Sequence, residues 1–162
     1  MYHKRESILQ KIFTVPALKH RMEGWHLKGE KVVLTNGCFD LLHRGHISLL
    51  LQAAELGNRL VVAINNDASI TRLKGSSRPV QNENDRALIL AAMAYVDAVV
   101  IFEEDTPLEL LKILQPDVLV KGGDYTLDTI VGAKEVQEYG GSVAIIPLEE
   151  GYSTSKIIAS LT

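Results

Sequence analysis

The alternation of short apolar segments with helical patterns from Lys31 onward constrains the fold most. Five apolar segments predict strands: Val32–Leu34, Leu60–Ile64, Ala98–Phe102, Val118–Val120 and Val143–Ile146. Between them, apolar residues recur with helical spacing, as Ile47, Leu50, Leu51 and Ala54 do. Parallel strands need such crossover helices. We therefore predict an α/β, Rossmann-like three-layer fold with a five-stranded parallel sheet.

Polar caps and prolines mark where further helices begin. Asn82 or Asn84 caps a helix that runs to about Tyr95, and Thr106 with Pro107 starts another that ends near Leu114. Two more helices are predicted over Ala133–Tyr139 and Ser153–Ser160. Residues 1–30 are predicted to form a helical extension, with helices over Glu6–Phe13 and Pro16–His26, ahead of a main domain at residues 31–162.

Composition excludes several classes of protein. The chain has 162 residues and a net charge of −3, which fits one globular domain and gives no general attraction for nucleic acid. Its single cysteine, Cys38, excludes an internal disulfide and a cysteine-cluster zinc site. The chain shows neither a signal peptide nor an apolar stretch of membrane-spanning length. We expect a cytoplasmic protein without nucleic-acid or membrane partners, and leave a homodimer open.

The segment after the first strand carries the strongest chemical signal. His43 and His46 lie three residues apart at a predicted strand-to-helix junction, so both rings can face one point. The free N–H groups of a helix start favour an anion, and Gly45 leaves room for a phosphate near the backbone. This pattern predicts a phosphate site at the carboxyl end of the sheet.

Several other nucleotide, metal and hydrolase sites are disfavoured. The chain has no G-x-x-x-x-G-K-[ST] loop, no G-x-G-x-x-G after the first strand and no G-x-S-x-G elbow. A zinc site at the histidines would need a third ligand, and the helix motif H-E-x-x-H is absent.

Two segments resemble signatures of one superfamily. His43-Arg44-Gly45-His46, after Gly37–Asp40, resembles the H-x-G-H motif of the cytidylyltransferase-like nucleotidyltransferases, and Tyr152–Ile158 resembles their C-terminal S-T-x-K-I segment. The similarity runs from about Lys31 to Ile158. Within the superfamily, the chain is most similar to adenylyltransferases that make ADP-heptose from heptose 1-phosphate. That similarity is carried by Thr35–Asp40, Arg72–Gly75, Arg78–Val80, Phe102–Pro107 and Val120–Tyr125.

The resemblance implies a reaction and a set of site residues. A phosphate of the acceptor attacks the α-phosphorus of ATP directly, with Mg²⁺ as cofactor and without an enzyme nucleophile. The implied catalytic residues are His43, His46 and Lys74. The implied nucleotide-binding residues are Thr35, Asn36, Phe39, Gly45, Lys121, Gly122, Asp124, Ser153 and Thr154. The implied residues for the phosphorylated sugar are Asp40, Arg72 and Arg78.

Some roles and functions stay open at this point. Asp40 either ligates Mg²⁺, orients the histidines or caps the coming turn. The product is expected to serve bacterial surface-polysaccharide synthesis. The alternatives within the superfamily are a glycerol-3-phosphate cytidylyltransferase and an FMN adenylyltransferase. An alternative of another class is a nucleotide-binding module without catalysis.

Overall fold

The computed structural model describes residues 3–161 and contains one parallel sheet of six strands. The strands are β1 (Ile12–Phe13), β2 (Val32–Gly37), β3 (Arg59–Asn65), β4 (Ala98–Phe102), β5 (Val118–Gly122) and β6 (Ser142–Ile146). Their order across the sheet is β1-β4-β3-β2-β5-β6, and every neighbouring pair is parallel.

Helices cover both faces of this sheet. They are α1 (Lys4–Leu9), α2 (Val15–Leu27), α3 (Arg44–Ala54), α4 (Asp67–Lys74), α5 (Glu83–Ala91), α6 (Leu108–Leu114), α7 (Ala133–Glu138) and α8 (Thr154–Leu161). A 3₁₀ turn covers Leu127–Thr129. No helix within residues 3–161 is long and apolar enough to cross a membrane.

Successive residues of each strand face opposite sides, so the sheet separates two apolar cores. Val32 and Leu34 of β2 pack with α2, α6 and α7, whereas Val33 between them packs with α3 and α5. Such strands are buried on both faces, which explains their nearly continuous apolar sequences. The predicted three-layer parallel α/β architecture is confirmed.

Two predictions are wrong in the N-terminal segment. The sheet has six strands and not five, and the helix predicted over Glu6–Phe13 is shorter. The helix ends at Leu9, and Ile12 and Phe13 form a strand that pairs with Val99 and Val100 of β4. Pairing with β4 satisfies backbone groups that a short isolated helix leaves to water. The second N-terminal helix does form, with Thr14 as its cap and Leu18, Met22 and Trp25 in the core.

A helix that the apolar periodicity does not predict follows β3. Asn66 caps α4 by accepting the Ser69 N–H at 2.8 Å, and Arg72 and Lys74 lie in the last turn. A capping asparagine and basic residues in the last turn are ordinary signals for the start and end of a helix, but the segment is too short to show a full helical pattern. Of the two caps proposed for α5, Asn82 is the one used, and this helix ends at Ala91 instead of about Tyr95.

The strand order places a crevice beside β2. From β2 the chain continues to β3 on one side, whereas β5 lies on its other side. Parallel sheets bind ligands outside the carboxyl ends of strands at such a reversal. The ends of β2 and β5 are therefore where the fold favours a site.

Candidate active site

His43 and His46 form a stacked pair at the start of α3. His43 is the helix cap with an extended backbone, and the two ring centroids lie 3.8 Å apart at an interplanar angle of 29°. The His43 backbone N–H donates to His46 Nδ1 at 3.4 Å. Nδ1 of His46 is therefore an acceptor, and the neutral ring carries its proton on Nε2.

Both imidazoles are neutral at neutral pH. Burial, followed by the nearby charges of His43 and Lys74, lowers the pKa of His46 to about 4. Burial also lowers the pKa of His43 below its usual 6.5. The pair can therefore donate N–H hydrogen bonds to an anion while both rings are uncharged.

Phe39 supports His46 from beneath. Its backbone has a φ of +46°, which few non-glycine residues adopt, and its ring centroid lies 5.3 Å from that of His46. The residue is 5% exposed. A Cβ at Gly37 would lie 3.1 Å from the same ring, so a side chain at this position would press on Phe39. An uncommon conformation held by its surroundings is typical of functional sites.

Gly45 keeps the His43 ring in place. A Cβ at this position would lie 3.1 Å from His43 Cε1 and Nδ1 and 3.4 Å from Tyr152 Cβ. Such contacts are tighter than side chains normally make, so the ring would have to move.

We expect Gly45→Ala to lower turnover about 10- to 100-fold, because a small displacement of a group at a reaction site costs that much. Alanine favours helix over glycine, so reduced helix propensity cannot cause the loss. Steady-state pyrophosphate release measures it. Gly24→Ala in α2 is the matched control, since its new Cβ meets nothing within 4 Å. Equal turnover in both variants would contradict the role of Gly45.

A cavity of about 170 Å³ lies beside His46, between the ends of β2 and β5. Its walls combine backbone, apolar and polar groups. They are Asn36, Gly37, Cys38, Phe39, His46, Leu49, Lys121, Gly122, Tyr125 and Leu148. This is the strand reversal at which the fold favours a ligand.

Two polar side chains of this cavity, Asn36 and Lys121, would be stabilised by a bound ligand. Asn36 Oδ1 is buried and has no hydrogen-bond partner among residues 3–161. A buried acceptor without a donor costs free energy, so a ligand hydroxyl or amino group would stabilise it. Burial lowers the pKa of Lys121, and an anion would restore the stability of its charged form.

The apolar walls of the cavity pack closely against Gly122 at its rim. A Cβ at Gly122 would lie 3.0 Å from Leu49 and 3.1 Å from Leu148. The sequence analysis missed Leu49, Leu148 and Tyr125. Leu148 and Tyr125 are 56% and 47% exposed, and large apolar side chains on a surface often mark a ligand groove.

Asp40 is buried, and donors of the protein itself occupy its carboxylate. Its side chain is 1% exposed, and it accepts hydrogen bonds from Arg78 Nε at 2.6 Å and from the N–H groups of Val80 and Gln81. The histidines are not among its partners. Asp40 therefore fastens the segment at residues 78–81 to the loop before α3, and this is closest to the predicted turn-capping role.

The pKa of Asp40 follows from the same contacts. Burial raises it, but the hydrogen bonds from Gln81, Val80 and Arg78 outweigh burial and hold the pKa below its usual value. Arg78 is 11% exposed at its side chain, and its Nη2 has no hydrogen-bond partner among the described residues. That donor is still available to a ligand.

The two predicted basic residues of α4 differ in their surroundings. Lys74 is exposed at the end of α4, and its positive charge is the smallest of the three causes that lower the pKa of His46. Arg72 instead pairs with Asp105 at 2.7 Å and donates to the Glu103 carbonyl at 2.9 Å. Arg72 is therefore engaged with the loop after β4, whereas the catalytic role given to Lys74 stays a prediction.

The remaining predicted residues mostly have structural partners. The Thr35 hydroxyl is buried and donates to the Val120 carbonyl at 3.1 Å, which ties β2 to β5. Ser153 Oγ accepts the Lys156 N–H at 3.1 Å and caps α8. The Thr154 hydroxyl donates to the Leu41 carbonyl at 3.2 Å, which joins α8 to the loop before His43.

Asp124 is exposed just beyond β5, and the nucleotide role given to it stays a prediction. Metal binding by the protein itself receives no support: residues 3–161 contain no cluster of three or more histidine, cysteine, aspartate or glutamate side chains. The carboxylate nearest the histidines in sequence, Asp40, is fully engaged.

The family model described as cytidylyltransferase-like matches residues 34–160, a span that includes the histidine pair, the cavity and α8. The chain belongs to the cytidylyltransferase-like family. The predicted membership is thereby confirmed.

Similar proteins include longer chains named bifunctional protein HldE. The relative from Koribacter versatilis is 58% identical over 148 residues, covering 91% of this chain and 30% of the relative. The one from Caulobacter vibrioides is 56% identical over 140 residues, covering 86% of this chain and 29% of the relative. The chain thus spans about a third of the length of these relatives or less.

Two solved structures are also similar. A lipopolysaccharide core biosynthesis protein from Thermoplasma volcanium is 28% identical with a TM-score of 0.61, over 77% of this chain and all of that one. A pantoate–β-alanine ligase from Francisella tularensis, complexed with an ATP ligand and β-alanine, is 14% identical with a TM-score of 0.62, over 92% of this chain and 76% of that one. The second likeness concerns the fold alone.

Proposed function

We propose that the protein transfers AMP from ATP to the phosphate of heptose 1-phosphate, giving ADP-heptose and pyrophosphate. The observation that carries the proposal is the stacked, neutral histidine pair at the start of α3, beside the cavity at the strand reversal. Membership of the cytidylyltransferase-like family supports nucleotidyl transfer as the reaction.

The reaction is a single displacement. An oxygen of the acceptor phosphate forms a bond to the α-phosphorus, the bond from that phosphorus to the bridging oxygen breaks, and pyrophosphate leaves with the electron pair. Negative charge shifts among the phosphate oxygens without covalent participation of the protein, so positioning and charge stabilisation supply the catalysis.

The residues at the site can supply both the positioning of the substrates and the stabilisation of charge. The Nε2–H of His46 and the ammonium of Lys74 would stabilise charge on the α- and β-phosphates, together with the free N–H groups at the start of α3. Asn36 and Lys121 would hold the nucleoside and its phosphate within the cavity. Ser153 and Thr154 would meet the outer phosphates at the start of α8.

Mg²⁺ would arrive as part of the substrate, MgATP. It usually keeps most of its waters and binds triphosphate oxygens, so it needs few protein ligands. This agrees with the engagement of Asp40 by Arg78 and two backbone N–H groups, which leaves that carboxylate no role as a ligand.

The heptose acceptor is supported by resemblance. Arg72–Gly75, Arg78–Val80 and Val120–Tyr125 resemble heptose 1-phosphate adenylyltransferases, and a structural relative is named for lipopolysaccharide core biosynthesis. Arg78 Nη2, buried and unpartnered within the described residues, is a donor that could meet the acceptor. The product would serve bacterial surface-polysaccharide synthesis.

We expect ATP with heptose 1-phosphate to give the highest kcat/KM among combinations of ATP or CTP with heptose 1-phosphate, glycerol 3-phosphate or FMN. A site built to bind sugar hydroxyls discriminates by several orders of magnitude against an acceptor that lacks them. Pyrophosphate release measures each combination. If CTP with glycerol 3-phosphate is the best pair, the protein is a cytidylyltransferase and our assignment is wrong.

The control is triphosphate with Mg²⁺ but no acceptor. Hydrolysis in this control at the rate of the full reaction would rule out direct transfer to an acceptor phosphate. Binding of ATP without pyrophosphate release for any acceptor would favour a nucleotide-binding module instead.

A further inference from the structure

Arg86 of α5 is a buried cation that the proposed chemistry does not use. Its side chain is 0% exposed, although arginine is among the residues that proteins rarely bury. The guanidinium donates to the carbonyls of Gln81, Cys38 and Asn65 at 3.0, 2.6 and 2.9 Å, and to Asp67 Oδ1 at 2.8 Å. Because the guanidinium is enclosed, it can act on the site only through the groups that it contacts.

The hydrogen bond to Cys38 bears on the residue that follows. The Cys38 carbonyl belongs to the peptide plane between Cys38 and Phe39, and the orientation of this plane relative to Phe39 is the φ angle of Phe39. That angle is +46°, which few non-glycine residues adopt and which persists where the surroundings hold it. Arg86 Nη1 holds the plane by its oxygen at 2.6 Å.

Phe39 is also held on its other side. The next residue, Asp40, accepts the Gln81 N–H at 2.9 Å, and Arg86 Nε donates to the Gln81 carbonyl at 3.0 Å. The residues before and after Phe39 are therefore both fastened near Gln81, one through the guanidinium and one directly. Such a double attachment explains how Phe39 keeps an uncommon φ.

The ring of Phe39 connects this attachment to the histidine pair. Its centroid lies 5.3 Å from that of His46, with 49° between the two ring planes. A Cβ at Gly37 would lie 3.1 Å from the Phe39 ring, so the ring packs closely against the backbone there. Rotation of the peptide between Cys38 and Phe39 would therefore move the ring that supports His46.

We infer that Arg86 is a positioning residue, which places the His46 ring by holding Phe39 in its left-handed conformation. It touches no substrate in this role. The relevance to turnover rests on the proposed function, whereas the geometric argument does not. Lysine cannot replace Arg86, because its three donors radiate from one nitrogen and the planar guanidinium presents five in fixed directions.

A double-mutant cycle of Arg86→Lys and Phe39→Ala tests the inference. We expect Arg86→Lys alone to lower kcat about 10- to 100-fold with a smaller change in KM for ATP, because a small displacement of a group at a reaction site costs that much. In the Phe39→Ala background the same change should cost less than about threefold, since no ring is left to be placed. Factors that simply multiply would overturn the inference.

The NMR signals of His46 give a second readout without any turnover. An aromatic ring shifts the resonances of nearby protons, so the signals of the His46 ring protons report where the Phe39 ring lies. In the unliganded protein, Arg86→Lys should move these signals toward their positions in Phe39→Ala. Unmoved signals would overturn the inference even if activity fell. If the wild-type protein is inactive with every acceptor, the proposed function fails but the signals still decide the role of Arg86.

Two further variants separate this role from general destabilisation. Arg59→Lys alters an arginine at the opposite end of β3, where it forms two ion pairs, and should change neither kcat nor the His46 signals. Asp67→Ala removes the partner of Arg86 on α4 but keeps the Cys38 carbonyl bonded, so both quantities should stay near their wild-type values. If Asp67→Ala moves the signals as far as Arg86→Lys does, the effect passes through α4 and the inference is wrong.

A change in the backbone covers the case in which Arg86→Lys does not fold. Phenyllactate in place of Phe39 turns the amide between Cys38 and Phe39 into an ester, whose carbonyl is a weaker acceptor, and keeps both side chains. The His46 signals should then move in the direction seen in Phe39→Ala, and kcat should fall about two- to tenfold, the range that one weakened hydrogen bond costs. Wild-type signals in the ester protein would overturn the inference.

Discussion

Replacement of His46 with alanine is expected to lower turnover by about 10²–10⁴, the usual cost of losing a group that stabilises the transition state. The ring supplies an Nε2–H beside the cavity and is held by the His43 N–H, by stacking and by Phe39. His43→Ala is expected to have a similar effect, since it removes the other half of the pair. Turnover with ATP and heptose 1-phosphate measures both.

His20→Ala is the control for these variants. Its ring is 92% exposed on α2, away from the carboxyl ends of β2 and β5. Circular dichroism should show all three variants folded. Near-normal turnover in His46→Ala would remove the histidine pair from the mechanism and, with it, the observation on which the proposed function depends.

The largest effect on stability is expected for Asp40→Ala, which should reduce the free energy of unfolding by about 3–5 kcal/mol. The change leaves the Arg78 guanidinium and the N–H groups of Val80 and Gln81 without their buried acceptor. Urea denaturation measures the loss. Asp128→Ala, at an exposed position in the 3₁₀ turn, should cost less than about 0.5 kcal/mol.

The stabilisation by Asp40 should depend on pH with a definite sign. Its pKa in the folded protein lies below the ordinary value of 3.8, so its contribution is complete above that value and is lost as the pH falls through the folded pKa. The difference between wild type and Asp40→Ala should therefore shrink only in strongly acidic solution. A constant difference down to pH 2 would contradict this account of the carboxylate.

Periodicity is sufficient to predict the layers of the fold, because each of the strands β2 to β6 is long and apolar enough to reveal its burial. It failed for β1 and α4. Ile12 and Phe13 form a strand only because β4 offers a backbone edge, and α4 is too short to display a full helical pattern. The strand thus depends on a contact that is distant in sequence, and the helix on local signals that span too few residues.

In the candidate site, too, the arrangement of residues close in sequence can be predicted, whereas contacts between distant residues cannot. His43, Gly45 and His46 are close in sequence, so their spacing reveals their geometry. The partners of Asp40 lie about 40 residues away, and Arg86 meets Cys38 across 48 residues. No local pattern indicates which buried charge will meet which loop. For that reason the sequence leaves open whether Asp40 contacts a ligand, orients the histidines or caps a turn.

The two-residue strand β1 affects whether molecules of this protein can associate through the edge of the sheet at β4. Strand β4 reads Ala-Val-Val-Ile-Phe and carries no charge, a composition that favours pairing with strands of other chains when an edge is free. Ile12 and Phe13 occupy that edge, and the Lys11 carbonyl accepts the Val99 N–H at 2.8 Å. The new outer edge is too short to template further strands, so the N-terminal segment covers the part of the β4 edge at Val99 and Val100 against pairing with other chains.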